Sequence, residues 1–116
     1  MNAVLLDRMV RKWQRILRIE DWDLDVRIVH ATELGNDTGL CERSAALRFA
    51  RIRISEPSQL SPSTPWFHRD VEITLVHEMI HVLMPPDRSD EAYSLCAEQG
   101  TDSLARALVA LDRRKE

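Results

Sequence analysis

The sequence predicts an α+β fold in which a small, mainly antiparallel sheet packs on an N-terminal helix and two later helices. Three observations support this class. Apolar residues recur at every third or fourth position in the first and last parts of the chain, they alternate with polar residues in two segments between residues 22 and 55, and a proline-rich segment follows. The length of 116 residues suits one domain, so residues 1–116 are predicted to form a single unit.

The first half of the chain predicts one helix and then two or three strands. Residues 3–19 carry the apolar stripe of an amphipathic helix. Residues 22–29 alternate apolar and charged side chains, which predicts a half-buried strand. The stretch GNDTG has the chemistry of a turn, and residues 46–55 alternate again, with Ile52 and Ile54 predicted to point inward.

The second half of the chain predicts two helices after a loop. Residues 55–65 contain three prolines, which indicates a loop between two layers of one domain. Asp70, or Thr64 with its following proline, could cap the next helix, and Pro85 and Pro86 end it. Asp87 or Ser89 could cap the last segment, which is acidic at its start and basic at its end, as the helix dipole favours.

Composition and charge narrow the class of partner. The chain has 16 basic and 19 acidic residues, a net charge of -3, and therefore no electrostatic footprint for nucleic acid or an anionic membrane. No apolar run approaches the roughly 20 residues of a membrane span. The N-terminal pattern is amphipathic and unlike a signal peptide, so we expect a cytoplasmic protein. Cys41 and Cys96 form no C-x-x-C motif and are expected to be reduced, packed thiols.

One motif, HEMIH, lies in the most apolar stretch of the chain. On a helix, His77 and His81 are one turn apart on one face, so their imidazoles can converge on a single tetrahedral metal. Glu78 is offset by about a quarter turn, which suits a carboxylate that reaches metal-bound water without ligating the metal. Two imidazoles without partners in so apolar a stretch would cost about 1–3 kcal/mol each. We therefore predict a Zn2+ site with His77 and His81 as ligands.

The third ligand is predicted to be Glu98 of the final helix. A catalytic zinc usually takes three protein ligands, and no histidine follows the motif. Glu98 lies on a helical line with several apolar residues, which is a costly place for an unpaired carboxylate. Asp102, one turn later, is a second candidate for the ligand, or a partner that orients one of the histidines. Asp87, Asp90 and Glu91 are also acidic candidates for the third ligand.

The rest of the final helix supplies core residues. Its main core face is expected to consist of Tyr93, Ala97, Leu104, Leu108 and Leu111. A glycine inside a helix costs about 1 kcal/mol relative to alanine. Gly100 is explained if this helix must approach the histidine helix closely.

The residues HEMIH and Glu98 resemble the gluzincin type of zincin metallopeptidase, in which a glutamate ligand follows H-E-x-x-H on a later helix. The chain is also similar to small single-domain metallopeptidases of bacterial and phage genomes. Four segments follow their order and spacing: EDWDLDVRIV, ARIRIS, VEITLVHEMIHVLM and AEQGTDSLARALVAL. The resemblance implies a zincin-like fold, in which an edge strand holds an extended peptide antiparallel beside the metal.

The expected activity is hydrolysis of a peptide or protein substrate by zinc-bound water. Glu78 is the predicted general base, which takes the proton of that water and delivers it to the leaving amine. His68 or Tyr93 could assist the oxyanion. The substrate backbone is expected to pair with an exposed strand at residues 51–55. Arginines 48, 51 and 53 are expected to form a solvated strand face.

Two different functions are also compatible with the sequence. In the first, the protein is a regulatory or interaction module with a zincin fold, zinc only stabilises it, and Glu78 has no catalytic part. In the second, it is a metal-free helical regulator. The retention or loss of hydrolysis after a change at Glu78 distinguishes an enzyme from the interaction module, and the zinc content of the protein tests the metal-free regulator.

Overall fold

The structure, a computed structural model, describes residues 1–60, 70–85 and 91–115, with the backbone alone described at 91–94. These residues form a mixed α+β fold with three α-helices and a three-stranded sheet. The elements in chain order are α1 (Ala3–Leu17), β1 (Asp23–Val29), β2 (Gly39–Ser44), β3 (Phe49–Ser55), α2 (Val71–Leu83) and α3 (Glu91–Arg113). The predicted α+β class is confirmed. None of the described helices combines the length and apolar content needed to cross a membrane.

Helix α1 begins at a capped residue and ends two residues earlier than predicted. The Asn2 side chain accepts a hydrogen bond from the backbone N–H of Leu5, which satisfies one of the free donors of the first turn. Arg18 adopts a left-handed conformation with φ of 59° and ends the helix. Trp13 is the largest side chain that this helix buries, at 1% exposure.

The sheet has the order β1-β3-β2, with β3 in the centre. β3 pairs antiparallel with β2 and parallel with β1. The expectation of a mainly antiparallel sheet is therefore wrong, because β1 joins the far edge of β3 in the same direction, while only β2 forms a hairpin with β3. As predicted, Ile52 and Ile54 point inward and are almost fully buried.

The central position of β3 also corrects the predicted substrate strand. Residues 51–55 are paired on both sides and cannot accept another chain. Among the described residues, β2 pairs on one side only, and it is the edge strand that packs on α2. Arg48 and Arg51 are exposed as predicted, whereas Arg53 is half-buried and lies 3.1 Å from a carboxylate oxygen of Asp25.

Helix α2 is capped by Asp70, whose carboxylate accepts hydrogen bonds from the backbone N–H groups of Glu72 and Ile73. This cap was one of the two predicted. From Thr74 to Val82 every residue of the helix is buried, so the helix runs through the middle of the domain. The HEMIH motif is therefore held on a buried helix that has little freedom to move.

The predicted core face of helix α3 is only partly correct, because Leu108 packs against the core whereas the other two predicted leucines are exposed. Leu104 and Leu111 are 42% and 55% exposed, while Ala105 and Val109 are buried at 0% and 1%. The buried pair continues the helical line of Glu98, so the face that directs this carboxylate toward α2 is also the packing face. The two large leucines on the other line consequently face solvent.

Gly100 does not mark a close approach of two helices. It is exposed, and no atom lies within 4 Å of the position that a Cβ would occupy. The small residue in the interface is Ala105, and the expectation for Gly100 is wrong.

Several predicted features lie outside the described residues. They are Thr64, Pro65, His68, Pro86, Asp87, Ser89 and Asp90, together with the side chains of Glu91 and Tyr93.

A cluster of ion pairs around the buried carboxylate of Glu72 ties the three helices together at the start of α2. The Glu72 carboxylate accepts a hydrogen bond of 2.7 Å from the indole N–H of Trp13 and lies 2.7 Å from Lys12 Nζ and 3.2 Å from the guanidinium of Arg113. Burial raises the pKa of Glu72, but the hydrogen bonds from Lys12 and Trp13 outweigh it and the pKa falls below its ordinary value. Sequence periodicity does not indicate this cluster.

Replacing Glu72 with glutamine should lower the free energy of unfolding at pH 7 by about 1–3 kcal/mol, the usual cost of breaking a buried charged hydrogen bond. A carboxylate with a lowered folded pKa stabilises above its unfolded pKa of about 4.3 and loses that contribution as the pH falls through the folded value. Glu72→Gln should therefore also flatten the pH dependence of stability below about pH 5. Urea unfolding across this range measures both effects. Glu20→Gln on the exposed surface is the control, and an unchanged pH slope in Glu72→Gln contradicts the assignment.

Candidate metal centre

Helix α2 brings the two motif histidines together inside the domain. The ring centroids of His77 and His81 are 4.9 Å apart with an interplanar angle of 75°. Their residues are only 8% and 7% exposed. One helical turn therefore places both imidazoles side by side, as the spacing predicted.

Glu98 of α3 completes a three-residue group. Its Oε1 lies 2.6 Å from Nε2 of His77, and its Oε2 lies 3.0 Å from Nε2 of His81. One ligand atom from each of the three residues lies within 4.8 Å of the others, and this is the group within the described parts of the chain that could hold a metal ion. Two imidazole nitrogens and one carboxylate oxygen are a common donor set for catalytic zinc. The residues present thus fit the metal that the sequence predicted.

The charges of this group suit a cation. Hydrogen bonds from His77 and His81 hold the pKa of Glu98 far below its ordinary value, so the carboxylate is ionised. Burial lowers the pKa of His77, but the hydrogen bond to Glu98 and the charge of Glu78 outweigh burial and raise it. The ionised carboxylate of Glu98 therefore lies beside the imidazole rings of His77 and His81. A metal ion could bind these rings in place of protons.

Asp102 lies on the other side of the His77 ring. Its Oδ1 is 3.4 Å from Nδ1 of His77, and its Oδ2 accepts a hydrogen bond of 2.8 Å from Nε of Arg106. Of the two roles left open for Asp102, this position favours the orientation of His77 rather than metal ligation, because the facing nitrogen is the one remote from Glu98. Nδ1 of His81, by contrast, is buried and has no hydrogen-bond partner in the described part of the chain.

Glu78 is buried beside the group without belonging to it. Its residue is 6% exposed, and burial raises its pKa above the ordinary value, although the charges of His77 and His81 oppose that shift. A carboxyl group with a raised pKa is better matched to proton transfer near neutral pH than an exposed glutamate. The position of Glu78 beside the three residues, but outside their group, is consistent with the offset predicted for it from helical geometry.

Gly39, the first residue of β2, lies against α2, the helix that carries HEMIH. It is not among the site residues predicted from the sequence. A Cβ at this position would lie 2.8 Å from Cγ2 of Thr74 and 3.0 Å from Oε2 of Glu78. From the sequence, this glycine was assigned to the turn GNDTG. The signal that could have identified it is its place at the head of the alternating stretch GLCERS, where a strand begins and a turn residue is no longer required.

Cys41 lies two residues further along β2, on the same face as Gly39. It is half-buried and packs against the core. Burial, and next the charge of Glu78, raises the pKa of its thiol to about 12. Cys96 is exposed. Neither cysteine belongs to the metal-holding group among the described residues.

Iodoacetamide should alkylate Cys41 of the native protein at least about 10²-fold more slowly than Cys96 at pH 8, because the thiolate is the reactive form and burial suppresses it. Mass spectrometry of peptides from a labelling time course measures both rates in one sample. In denaturant the two cysteines should react at similar rates. Equal rates in the native protein contradict the burial of Cys41 beside Glu78.

Comparison with known proteins adds no relative: no family model, curated protein or solved structure matches the chain significantly.

Proposed function

We propose that the protein is a small zinc-dependent metallopeptidase with a zincin-like fold. One observation carries the proposal: Nε2 of His77, Nε2 of His81 and the carboxylate of Glu98 converge on one point, with the buried carboxylate of Glu78 next to them. This set combines three ligands for a metal with a separate base, which a purely structural zinc site does not require.

In this proposal His77, His81 and Glu98 hold the zinc ion. Zinc bound there would acidify a water molecule and polarise the scissile carbonyl. Glu78 accepts the proton of the attacking water and passes it to the leaving amine, because its carboxylate is the adjacent acid-base group that is not committed to the metal. Asp102 holds the ring of His77 in the orientation that directs Nε2 toward Glu98.

The substrate backbone would lie along β2. This strand has one free edge among the described residues, and its first residue contacts Glu78. An extended peptide that adds to a free edge gains main-chain hydrogen bonds. A peptide on β2 would thus lie next to the carboxylate of Glu78. A peptide could not pair with the central strand β3, because β3 is paired on both sides.

Metal analysis and an activity assay on the same preparation test the proposal. Elemental analysis of the purified full chain should find about one zinc ion per molecule. Cleavage of a mixed peptide library, followed by mass spectrometry, should stop after treatment with a chelator and return when zinc is added. Bound zinc without any cleavage supports the non-catalytic interaction protein instead, and the absence of bound zinc overturns both.

A further inference from the structure

We infer that Gly39 is a positioning residue for Glu78: the space left by its missing side chain is where the carboxylate of the general base is seated. The inference rests on the proposed function for its catalytic meaning, but the contact itself does not depend on bound zinc or on hydrolysis. It assigns a role to an edge-strand residue that carries no reactive group.

The geometry leaves no room for a side chain at this position. A Cβ on Gly39 would lie 2.8 Å from Cγ2 of Thr74, 3.0 Å from Oε2 of Glu78 and 3.2 Å from Cγ of Glu78. Carbon and oxygen atoms in van der Waals contact are normally separated by about 3.5 Å or more. Two of the three contacts involve Glu78, including a methylene carbon close to its backbone, so rotation of the carboxylate alone would not relieve both.

Backbone conformation does not explain the glycine. Among the described residues Gly35 is the glycine with a positive φ, at 60°, and that position needs glycine for its left-handed conformation. Gly39 lies inside an antiparallel pair, opposite Ile54, where glycine weakens a strand. Its presence there is accounted for by the close approach of the strand backbone to α2.

The partners on α2 cannot easily move away. Thr74 and Glu78 are one helical turn apart on one face and are 3% and 6% exposed. This part of the helix is buried on all sides, so an added methyl group must displace either the edge strand or the Glu78 side chain. Either displacement changes the distance between the base and a substrate held on β2. The two histidines are offset around the helix from Glu78 and should keep their positions.

Gly39→Ala should therefore lower kcat by about 10-fold, because misplacement by a fraction of an ångström is enough to weaken proton transfer. Zinc affinity should stay within about threefold of the wild-type value. Gly100→Ala is the matched control, since that glycine is exposed with no atom near the added methyl, and its kcat should be unchanged. A kcat within twofold of wild type in Gly39→Ala overturns the positioning role.

A melting experiment on the metal-free protein tests the contact without any assay of activity. All variants carry Thr74→Ser, which removes the methyl group nearest to the added Cβ and leaves Glu78 as the remaining obstacle. In this background Gly39→Ala should lower Tm by about 5 °C. When Glu78→Ala is also present, the effect of Gly39→Ala should fall to half or less, because the clashing side chain has gone.

The two experiments separate the possible failures. An equal Tm shift with and without the Glu78 side chain overturns the inference, whatever the activity of the protein. If the melting cycle shows the coupling but the wild-type chain cleaves no peptide, the proposed function fails and the packing of Glu78 against Gly39 stands.

Discussion

Replacing Glu78 with glutamine is expected to lower peptide hydrolysis by about 10²-fold or more, the usual contribution of a general base. Glutamine has nearly the same shape but cannot accept a proton at neutral pH. The fit of the side chain against Gly39 and Thr74 should therefore persist, and only the acid-base function should be lost. Initial rates on a peptide identified from the library measure the effect.

Zinc content is the essential companion measurement for this variant. Glu78 lies outside the ligand group, so Glu78→Gln should retain about one zinc ion per chain. Glu20→Gln is the control, because Glu20 is an exposed glutamate outside both the HEMIH helix and the edge strand β2. Turnover of Glu78→Gln equal to that of wild type would remove the catalytic role and favour a protein that uses zinc only for stability.

Replacing Glu98 with alanine is expected to weaken zinc binding by about 10³-fold or more. Removal of a residue that merely orients a ligand typically costs about 10- to 100-fold, and a direct ligand should contribute more. Glu98 carries the only carboxylate that contacts Nε2 of both histidines in the described part of the chain. Its loss would also remove the carboxylate that bridges the two buried rings. Competition with a chromophoric chelator gives the zinc dissociation constant directly.

Two further variants make this measurement specific. Asp102→Asn should weaken zinc binding by only about 10- to 100-fold, because Asp102 faces Nδ1 of His77. Gln99→Ala, an exposed neighbour on the same helix, should leave the dissociation constant unchanged. Full zinc affinity in Glu98→Ala would instead point to Asp102, Glu91 or Asp90 as the third ligand.

The sequence could predict the site residues because their arrangement depends on their spacing along one helix and on the side of the helix on which each lies. The spacing of His77 and His81 fixes their common face on any α-helix, and the same spacing fixes the offset of Glu78. Glu98 could be identified from its helical line, but the burial expected for it is wrong, because its side chain is 49% exposed and Leu95 is 62% exposed. The structure brings these four residues together.

Strand pairing could not be predicted in the same way, because it depends on contacts between distant segments. The alternation in residues 22–29 and 46–55 indicates strands but does not say which neighbours they have. No local feature of the sequence therefore indicates the parallel pairing of β1 with β3. The prediction that the substrate pairs with residues 51–55 is wrong for the same reason.

Side-chain size also misled the prediction for α3. Leucines on one helical line suggested the core, and Leu108 does pack against it, but the fully buried apolar residues described on this helix are Ala105 and Val109 on the other line. A carboxylate that must reach buried histidines requires close packing of the two helices, and small side chains permit it. The packing face of this helix is therefore the one that carries Glu98 and not the one with the largest side chains.

The ion cluster around Glu72 has a consequence for how the proposed site would acquire a metal ion. Trp13, Lys12 and Arg113 join all three helices at the start of α2, more than one turn of helix before the first histidine. Because this junction needs no zinc, the framework should assemble first and present a ready-made ligand set to the ion. Zinc supply, rather than folding, would then set how much of the protein is active at any moment. Removal of the ion would then stop the proposed hydrolysis and leave the framework folded.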